Sequence, residues 1–236
     1  MEQVAIIGAG NVGATASHII AQKELANVVL VDIAAGLAKG KSLDKMQAMA
    51  IHGSHVEVRG TDDFSSIARS SVVVVTAGFP RGPGMSRADL MKKNSAVIES
   101  VTGHIKTHAP EAIVVVVTNP LDEMTTLAKT VTGLPRSRVF GMGGVLDTGR
   151  FTYFISKKLG LSPKSIKAMV IGAHGDKMIP LVDLATADGD LLKDLLDRPA
   201  LDELIVRTRK GGAEIISHLE TGSAFYAPGT GVAKMV

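Results

Sequence analysis

The 236 residues contain no cysteine and no tryptophan, and only two tyrosines. The first absence excludes disulfides, thiolate metal sites and a cysteine nucleophile. Charge of one sign is not concentrated anywhere: 26 Lys and Arg stand against 23 Asp and Glu, a net charge of +3, with no basic block. Scattered cations with few aromatics give no footing to nucleic-acid binding. Long apolar runs are missing too, and Met1-Glu2-Gln3 carries no basic leader, so neither a signal segment nor a membrane span is expected. What remains is the composition of an ordinary globular chain, 45% hydrophobic and 21% charged, long enough for one large or two modest domains. A soluble cytoplasmic protein is the expectation, with no repeat and no low-complexity segment.

What the chain does have is a glycine pattern near its start. The run Val4-Ala5-Ile6-Ile7 reads as a buried strand, and Gly8-Ala9-Gly10-Asn11-Val12-Gly13 follows at G-x-G-x-x-G spacing. A helical pattern then places Val12, Ala16, Ile19 and Ile20 on one face. In this arrangement Gly8 permits a tight turn, Gly10 lets backbone approach a pyrophosphate, and Gly13 lets helix and strand pack closely. The helix N-terminus supplies free N–H groups and a positive dipole end. A second strand, Val28-Val29-Leu30-Val31, ends in Asp32, an acid about 20 residues beyond the glycines, where one is needed to bind a ribose. Glycines also mark plain turns, but strand, glycines, helix, strand and acid in this order point to a dinucleotide.

The first half alternates apolar runs with helical patterns. Candidate strands cover 4–8, 28–32, 56–59, 72–76, 113–117 and 138–140. Runs such as Val72 to Val75 and Ile113 to Val117 lack polar alternation, as strands covered on both faces do. The spacing predicts a helix over 87–107, opened by a capping box of Ser86 and Asp89. The expected fold class is α/β, a doubly wound parallel sheet whose ligands bind at the carboxyl ends of its strands. Two such ends carry unusual residues: a Gly/Pro-rich loop from Ala77 to Arg87 holding Arg81 and Arg87, and Thr118-Asn119-Pro120-Leu121-Asp122. The loop reads either as a hinged cover carrying cations or as a solvated surface loop.

From residue 143 the pattern changes, giving domains 1–142 and 143–236. A helix over 146–159 has Leu146, Phe151, Phe154, Ile155 and Leu159 as its apolar side, and a strand over 166–171 leads into Gly172-Ala173-His174-Gly175-Asp176. A long helical pattern from Leu201 to Leu219 contains Gly211-Gly212, which costs about 1 kcal/mol per glycine relative to alanine, so close packing or a kink is expected there. The chain ends in an apparent helix from Phe225 to Val236, without a polar tail, which reads as a second domain truncated at its C-terminus.

Seven histidines are present, and six sit in helical patterns or a turn; His174 differs, following a buried strand beside Gly175. An imidazole in such a loop can present a ring nitrogen to a substrate, and imidazoles suit proton transfer near neutral pH. Asp147 and Arg150 are three apart on one helix and share a face. They read as a surface ion pair, or as two groups with separate partners: Asp147 holding His174, Arg150 gripping a carboxylate. Spacing does not choose between these.

Taken together the motifs resemble the lactate/malate dehydrogenases, within them the bacterial malate dehydrogenases of lactate-dehydrogenase-like type. The matching stretches are Gly8 to Gly13, Val31-Asp32-Ile33, Thr76-Ala77-Gly78, Pro80 to Arg87, Thr118 to Asp122, Leu146 to Phe151, Gly172 to Asp176 and Gly222-Ser223-Ala224, in the family's order along nearly the whole chain. The resemblance implies NAD as cofactor, bound by Gly8, Gly10, Asn11, Val12, Gly13, Asp32, Thr76, Ala77, Gly78, Asn94, Val117 and Asn119. It implies His174 as acid/base paired with Asp147, Arg150 on the C1 carboxylate, Arg87 polarising the C2 oxygen, and Asn119 near substrate and nicotinamide. Arg81 is implied to face the second carboxylate of malate or oxaloacetate, where lactate enzymes carry an uncharged residue. It further implies a tricarboxylic acid cycle enzyme, a homodimer or homotetramer, and no metal. The competing readings are a nucleotide-binding protein inactive through truncation, a lactate or other 2-hydroxyacid dehydrogenase, and an NAD-dependent glycosidase, the last disfavoured by the absence of cysteine and of a clustered metal site.

Overall fold

The computed structural model describes residues 1–80 and 84–236, and of Arg87 the backbone alone. By their contacts the residues form two compact units, Met1–Met142 with Pro228–Val236, and Gly143–Ala227.

In the first unit β1 (Gln3–Ile7), α1 (Asn11–Gln22), β2 (Asn27–Val31), α2 (Ala35–His52), β3 (Val58–Thr61), β4 (Ser70–Val75), α3 (Arg87–His108), β5 (Ile113–Val116), α4 (Leu121–Thr132) and β6 (Val139–Gly141) follow in order. The strands form one parallel sheet in the order β3-β2-β1-β4-β5-β6, the arrangement of a doubly wound dinucleotide-binding fold. The continuous apolar runs have the expected cause. Ala5, Ile7, Val29, Val31, Val73, Val75, Val114 and Val116 pack on one side with Ile98, Val101 and Ile105 of α3 and Met124 and Ala128 of α4. Their alternates Val4, Ile6, Val28, Leu30 and Val74 are equally buried. With both faces covered, no strand position can be polar without a partner.

Two expectations shift. β3 starts two residues late, because its pairing with β2 begins at Val28↔Val58. The buried side of α1 is Gly13, Ala16, Ser17, Ile20 and Ala21, with Val12 and Ile19 only partly covered. Small residues let this helix approach the sheet closely, and that approach rotates it away from its larger apolar side chains. The capping box of α3 is present: Asp89 N–H donates to Ser86 Oγ at 3.1 Å, and Ser86 N–H to Asp89 Oδ2 at 3.2 Å.

By contact, residues 228–236 group with the first unit. All but Val236 belong to the last helix, α8 (Tyr226–Met235), where a Cβ on Gly229 would stand 2.7 Å from Thr15 Cβ of α1.

The second unit begins with α5 (Gly144–Leu159) and continues through β7 (Ile166–Lys167), β8 (Val170–Gly172), β9 (Met178–Pro180), β10 (Thr186–Ala187), β11 (Asp190–Leu191), α6 (Leu192–Leu195) and α7 (Arg198–Leu219). Phe151, Phe154 and Ile155 of α5 share a core with Leu201 and Leu204 of α7 and with Ile166, Val170 and Met178. The single strand expected over 166–171 is two. Ile166–Lys167 pairs antiparallel with β10, whereas Val170–Gly172 pairs antiparallel with β9, so the chain changes partners between them. α7 runs unbroken through Gly211-Gly212, which resolves the expectation there in favour of close packing. Its last turns expose Ile216 and Leu219. Among the described residues no helix is long and apolar enough to cross a membrane.

Candidate active site

The parallel pairing of β1 with both β2 and β4 puts three strand ends side by side, with Ile7 opposite Val31 and Val75. Chain direction reverses its lateral order at this point, and the crevice so formed is where doubly wound sheets bind ligands. Gly8 turns the chain here at φ +111°, a backbone region that disfavours any side chain. Thr76 and Ala77 both donate their N–H to Ile7 O, at 2.8 and 2.9 Å, and Thr76 Oγ1 donates to Gly8 O at 3.0 Å. A Cβ on Gly13 would overlap the Gly8 carbonyl oxygen and stand 2.8 Å from Thr76 Oγ1. Glycine at 13 is therefore demanded by close packing of α1 on the loop.

Gly10 caps α1 with no side-chain hydrogen bond, and the direction its Cβ would take is empty to 4 Å. A helix start without a side-chain cap leaves its first N–H groups to be satisfied by water or by an acceptor such as a phosphate. At the end of β2, Asp32 accepts from Ala9 N–H at 2.7 Å and from Ala34 N–H at 2.9 Å. Both carboxylate oxygens are oriented beside the glycine loop, and Lys41 Nζ donates to Ala9 O at 2.8 Å from α2. These residues fit a dinucleotide with a free ribose diol.

Asn94 is fully buried on α3 and holds two loops together. Its Oδ1 accepts from Phe79 N–H at 2.8 Å; its Nδ2 donates to Phe79 O at 3.1 Å and to Asn119 O at 2.6 Å. Thr118 adds a second tie, donating from Oγ1 to Ala77 O at 2.7 Å. Asn94 so braces Gly78-Phe79 against Asn119, which itself is exposed; Val117 is partly covered and Asn11 exposed. Arg81 lies outside the described residues, as does the Arg87 side chain; the backbone of Arg87 is the first residue of α3.

In the second unit the structure brings three of the candidate side chains together. Asp147 lies in the first turn of α5, 2% exposed. His174 sits in the loop of the β8–β9 hairpin, which turns with Gly175 at φ +100°. His174 Nδ1 and Asp147 Oδ2 are 2.8 Å apart. The other carboxylate oxygen, Oδ1, faces Arg150 Nη1 at 3.4 Å. Burial pushes the Arg150 guanidinium below its ordinary range, and the Asp147 charge opposes that shift. The pair is not a surface one, since Asp147 is buried; its one carboxylate meets both the imidazole and the guanidinium.

Three supporting residues escaped the sequence reading. Thr148 Oγ1 accepts from Val170 N–H at 3.0 Å, and Arg209 Nε donates to Met178 O at 3.1 Å; together they fix the hairpin to α5 and α7. Lys41 is the third. Hydrogen bonds from side chain to distant backbone leave no periodic mark, so no local signal announced them. Among the described residues no cluster of His, Asp and Glu could hold a metal ion.

A doubly wound sheet with this glycine loop and ribose-side acid, in a chain that also carries a buried carboxylate–imidazole–guanidinium cluster, defines a dinucleotide-dependent oxidoreductase. Comparison with known proteins narrows the class. The family model for the lactate/malate dehydrogenase NAD binding domain matches residues 2–141, and that for the lactate/malate dehydrogenase alpha/beta C-terminal domain matches 144–236. The chain belongs to the lactate/malate dehydrogenase family, and its cofactor is NAD. It is 48% identical over 236 residues to the malate dehydrogenase of Nostoc punctiforme, covering 100% of this chain and 72% of that one. It is 50% identical to malate dehydrogenase 1 of Anaeromyxobacter dehalogenans, covering 99% and 76%. Among solved structures, malate dehydrogenase from Cryptosporidium parvum superposes with a TM-score of 0.96 at 40% identity, covering 99% and 76%. The lactate dehydrogenase of the same organism, complexed with lactic acid and nicotinamide adenine dinucleotide, gives 0.95 at 38%, covering 99% and 75%.

Proposed function

We propose that this chain is an NAD-dependent malate dehydrogenase interconverting (S)-malate and oxaloacetate. The observation that carries the reading is the 2.8 Å contact of His174 Nδ1 with the buried Asp147 carboxylate, one helical turn from Arg150. With Nδ1 donating to Asp147, the role of base is assigned to Nε2. In malate oxidation Nε2 of His174 takes the C2 hydroxyl proton, and in oxaloacetate reduction it returns one. Asp147 holds the tautomer and stabilises the imidazolium that forms. Arg150 grips the C1 carboxylate through two parallel hydrogen bonds. NAD, when bound, supplies the hydride acceptor or donor for C2. Gly8, Gly10 and Gly13 with the first-turn N–H groups of α1 receive its pyrophosphate, and Asp32 binds the adenosine ribose and disfavours a 2′-phosphate.

Asn119 is assigned to the substrate oxygen and nicotinamide side, Arg87 to the C2 oxygen and Arg81 to the second carboxylate; these roles rest on the family resemblance. A cytoplasmic location, a place in the tricarboxylic acid cycle and a homodimer or homotetramer belong to the same reading and share that basis.

Substrate choice is the test, because lactate dehydrogenases are also close structural relatives. A guanidinium enclosed opposite pyruvate would lack its partner, and leaving one member of a buried ion pair alone costs about 3–5 kcal/mol. That corresponds to roughly a thousandfold preference for oxaloacetate. Steady-state NADH oxidation should therefore favour oxaloacetate over pyruvate, and Arg81→Gln should erase most of the difference. A parent protein that prefers pyruvate overturns the assignment, and an unchanged preference in the variant removes Arg81 from it.

A further inference from the structure

We infer that Lys41 is a positioning residue for the dinucleotide: its ammonium group pins the Ala9 carbonyl and so commits the Gly10 N–H to the pyrophosphate. The inference rests on the glycine loop receiving the pyrophosphate, as proposed above.

The backbone of the glycine turn is almost fully engaged. Gly8 N–H donates to Val31 O at 2.8 Å, and Gly8 O accepts from Thr76 Oγ1 at 3.0 Å. Ala9 N–H donates to Asp32 Oδ2 at 2.7 Å, and Gly10 O accepts from Ala14 N–H at 2.9 Å. Ala9 O accepts from Lys41 Nζ at 2.8 Å, a cation reaching in from α2. Of the polar backbone atoms of Gly8, Ala9 and Gly10, only the Gly10 N–H has no partner among the described residues, and Gly10 is exposed. Such a donor is satisfied from outside the chain, by water or by a ligand.

Lys41 decides where that donor points. Ala9 O and Gly10 N–H are the two ends of one trans peptide, so they face opposite ways. Fixing the carbonyl towards α2 aims the N–H away from α2. A cation on the carbonyl also polarises the peptide and strengthens its N–H as a donor to an anion. Close packing keeps the lysine within reach: a Cβ on Gly60 of β3 would overlap the Ala38 carbonyl of α2, one turn before Lys41. Without the ammonium group the carbonyl of the buried Ala9 loses its partner and the peptide is free to turn. Two opposite charges thus divide the work on Ala9: Asp32 holds its N–H on the ribose side, and Lys41 holds its carbonyl so that the next N–H serves the phosphates.

The experiment is fluorescence titration of NADH into the parent, Lys41→Met and Lys41→Arg, with ADP-ribose and adenosine as competitors and the melting temperature of the cofactor-free protein as control. ADP-ribose carries the pyrophosphate; adenosine carries only base and ribose. Lys41→Met should weaken NADH and ADP-ribose about tenfold, the scale of one charge-assisted hydrogen bond, and leave adenosine within about twofold. Lys41→Arg keeps a charged donor and should hold both phosphate ligands within about threefold of the parent. A merely structural lysine predicts a lower melting temperature and the same loss for all three ligands. An equal loss for adenosine, unchanged NADH and ADP-ribose binding in Lys41→Met, or a Lys41→Arg protein as weak as Lys41→Met overturns the inference. If ADP-ribose binds the parent no more tightly than adenosine, the loop is not the pyrophosphate site, and the role of Lys41 falls with it.

Discussion

Replacing Asp147 by asparagine tests the centre of the proposed chemistry with almost no change in shape. The carboxylate is 2% exposed and faces two cationic or potentially cationic groups, His174 at 2.8 Å and Arg150 at 3.4 Å. Asparagine keeps one acceptor but loses the charge, and its amide can donate to Nδ1, which would leave the proton on Nε2, where the base is needed. A charge-assisted hydrogen bond is worth about 1.5–3 kcal/mol. Two unit charges about 4 Å apart interact by about 4 kcal/mol at an effective dielectric of about 20. These are two views of one interaction and are not summed, so the loss is about 3–4 kcal/mol in the step that forms imidazolium. The turnover number for malate oxidation should therefore fall about a hundred- to a thousandfold. NADH affinity should stay within about twofold, because the glycine loop is in the other unit. Because the two residues act as one device, a double variant Asp147→Asn/His174→Gln should be no slower than His174→Gln alone. A folded Asp147→Asn protein that keeps a third or more of parental turnover, or a double variant whose losses multiply, would refute the reasoning.

Two further outcomes concern stability. Lys45 is buried on α2, its Nζ donating to Lys41 O at 3.1 Å, and burial together with the Lys41 charge pulls its pKa down from 10.5 to about 8. Between those two values the unfolded chain holds a proton that the folded one does not, so this residue makes stability rise with pH across that window. Below pH about 8 its penalty is complete, at most about 3 kcal/mol from the size of the shift and less after solvent screening. Lys45→Met should thus raise the melting temperature at neutral pH, with a gain that shrinks towards pH 10.5; a gain independent of pH would mean packing alone is responsible. Gly13→Ala forces a methyl into the Gly8 carbonyl, and overpacking of this kind costs about 1–3 kcal/mol. The shifted loop should lower both melting temperature and NADH affinity, and a variant that binds NADH as tightly as the parent would remove the loop from the cofactor site.

The legible and illegible parts of this molecule divide by the range of the interactions that make them. Strands β1, β2, β4 and β5 were readable because burial on both faces writes an unbroken apolar run, and the start of α3 because Ser86 and Asp89 cap it within one turn. The glycine loop was readable because Gly8 and Gly13 answer a steric demand that only glycine meets. Where a partner is distant in the chain, the local pattern is silent. The split of 166–171 into two strands follows from competing pairings with β10 and β9, which no run of side chains encodes. Asn94 shows the same limit: helical spacing places it on α3, and its bonds to Phe79 and to Asn119, 15 and 25 residues away, leave no local mark. The sharpest case is Asp147 and His174. Their 27-residue separation carries no periodicity, and the 2.8 Å contact exists because Thr148 catches Val170 and Arg209 catches Met178, fixing both strands of the hairpin that presents the imidazole. Residue types suited to proton transfer can be named from the sequence; the distance that lets them act as a pair is set by neighbours whose own chemistry is unremarked.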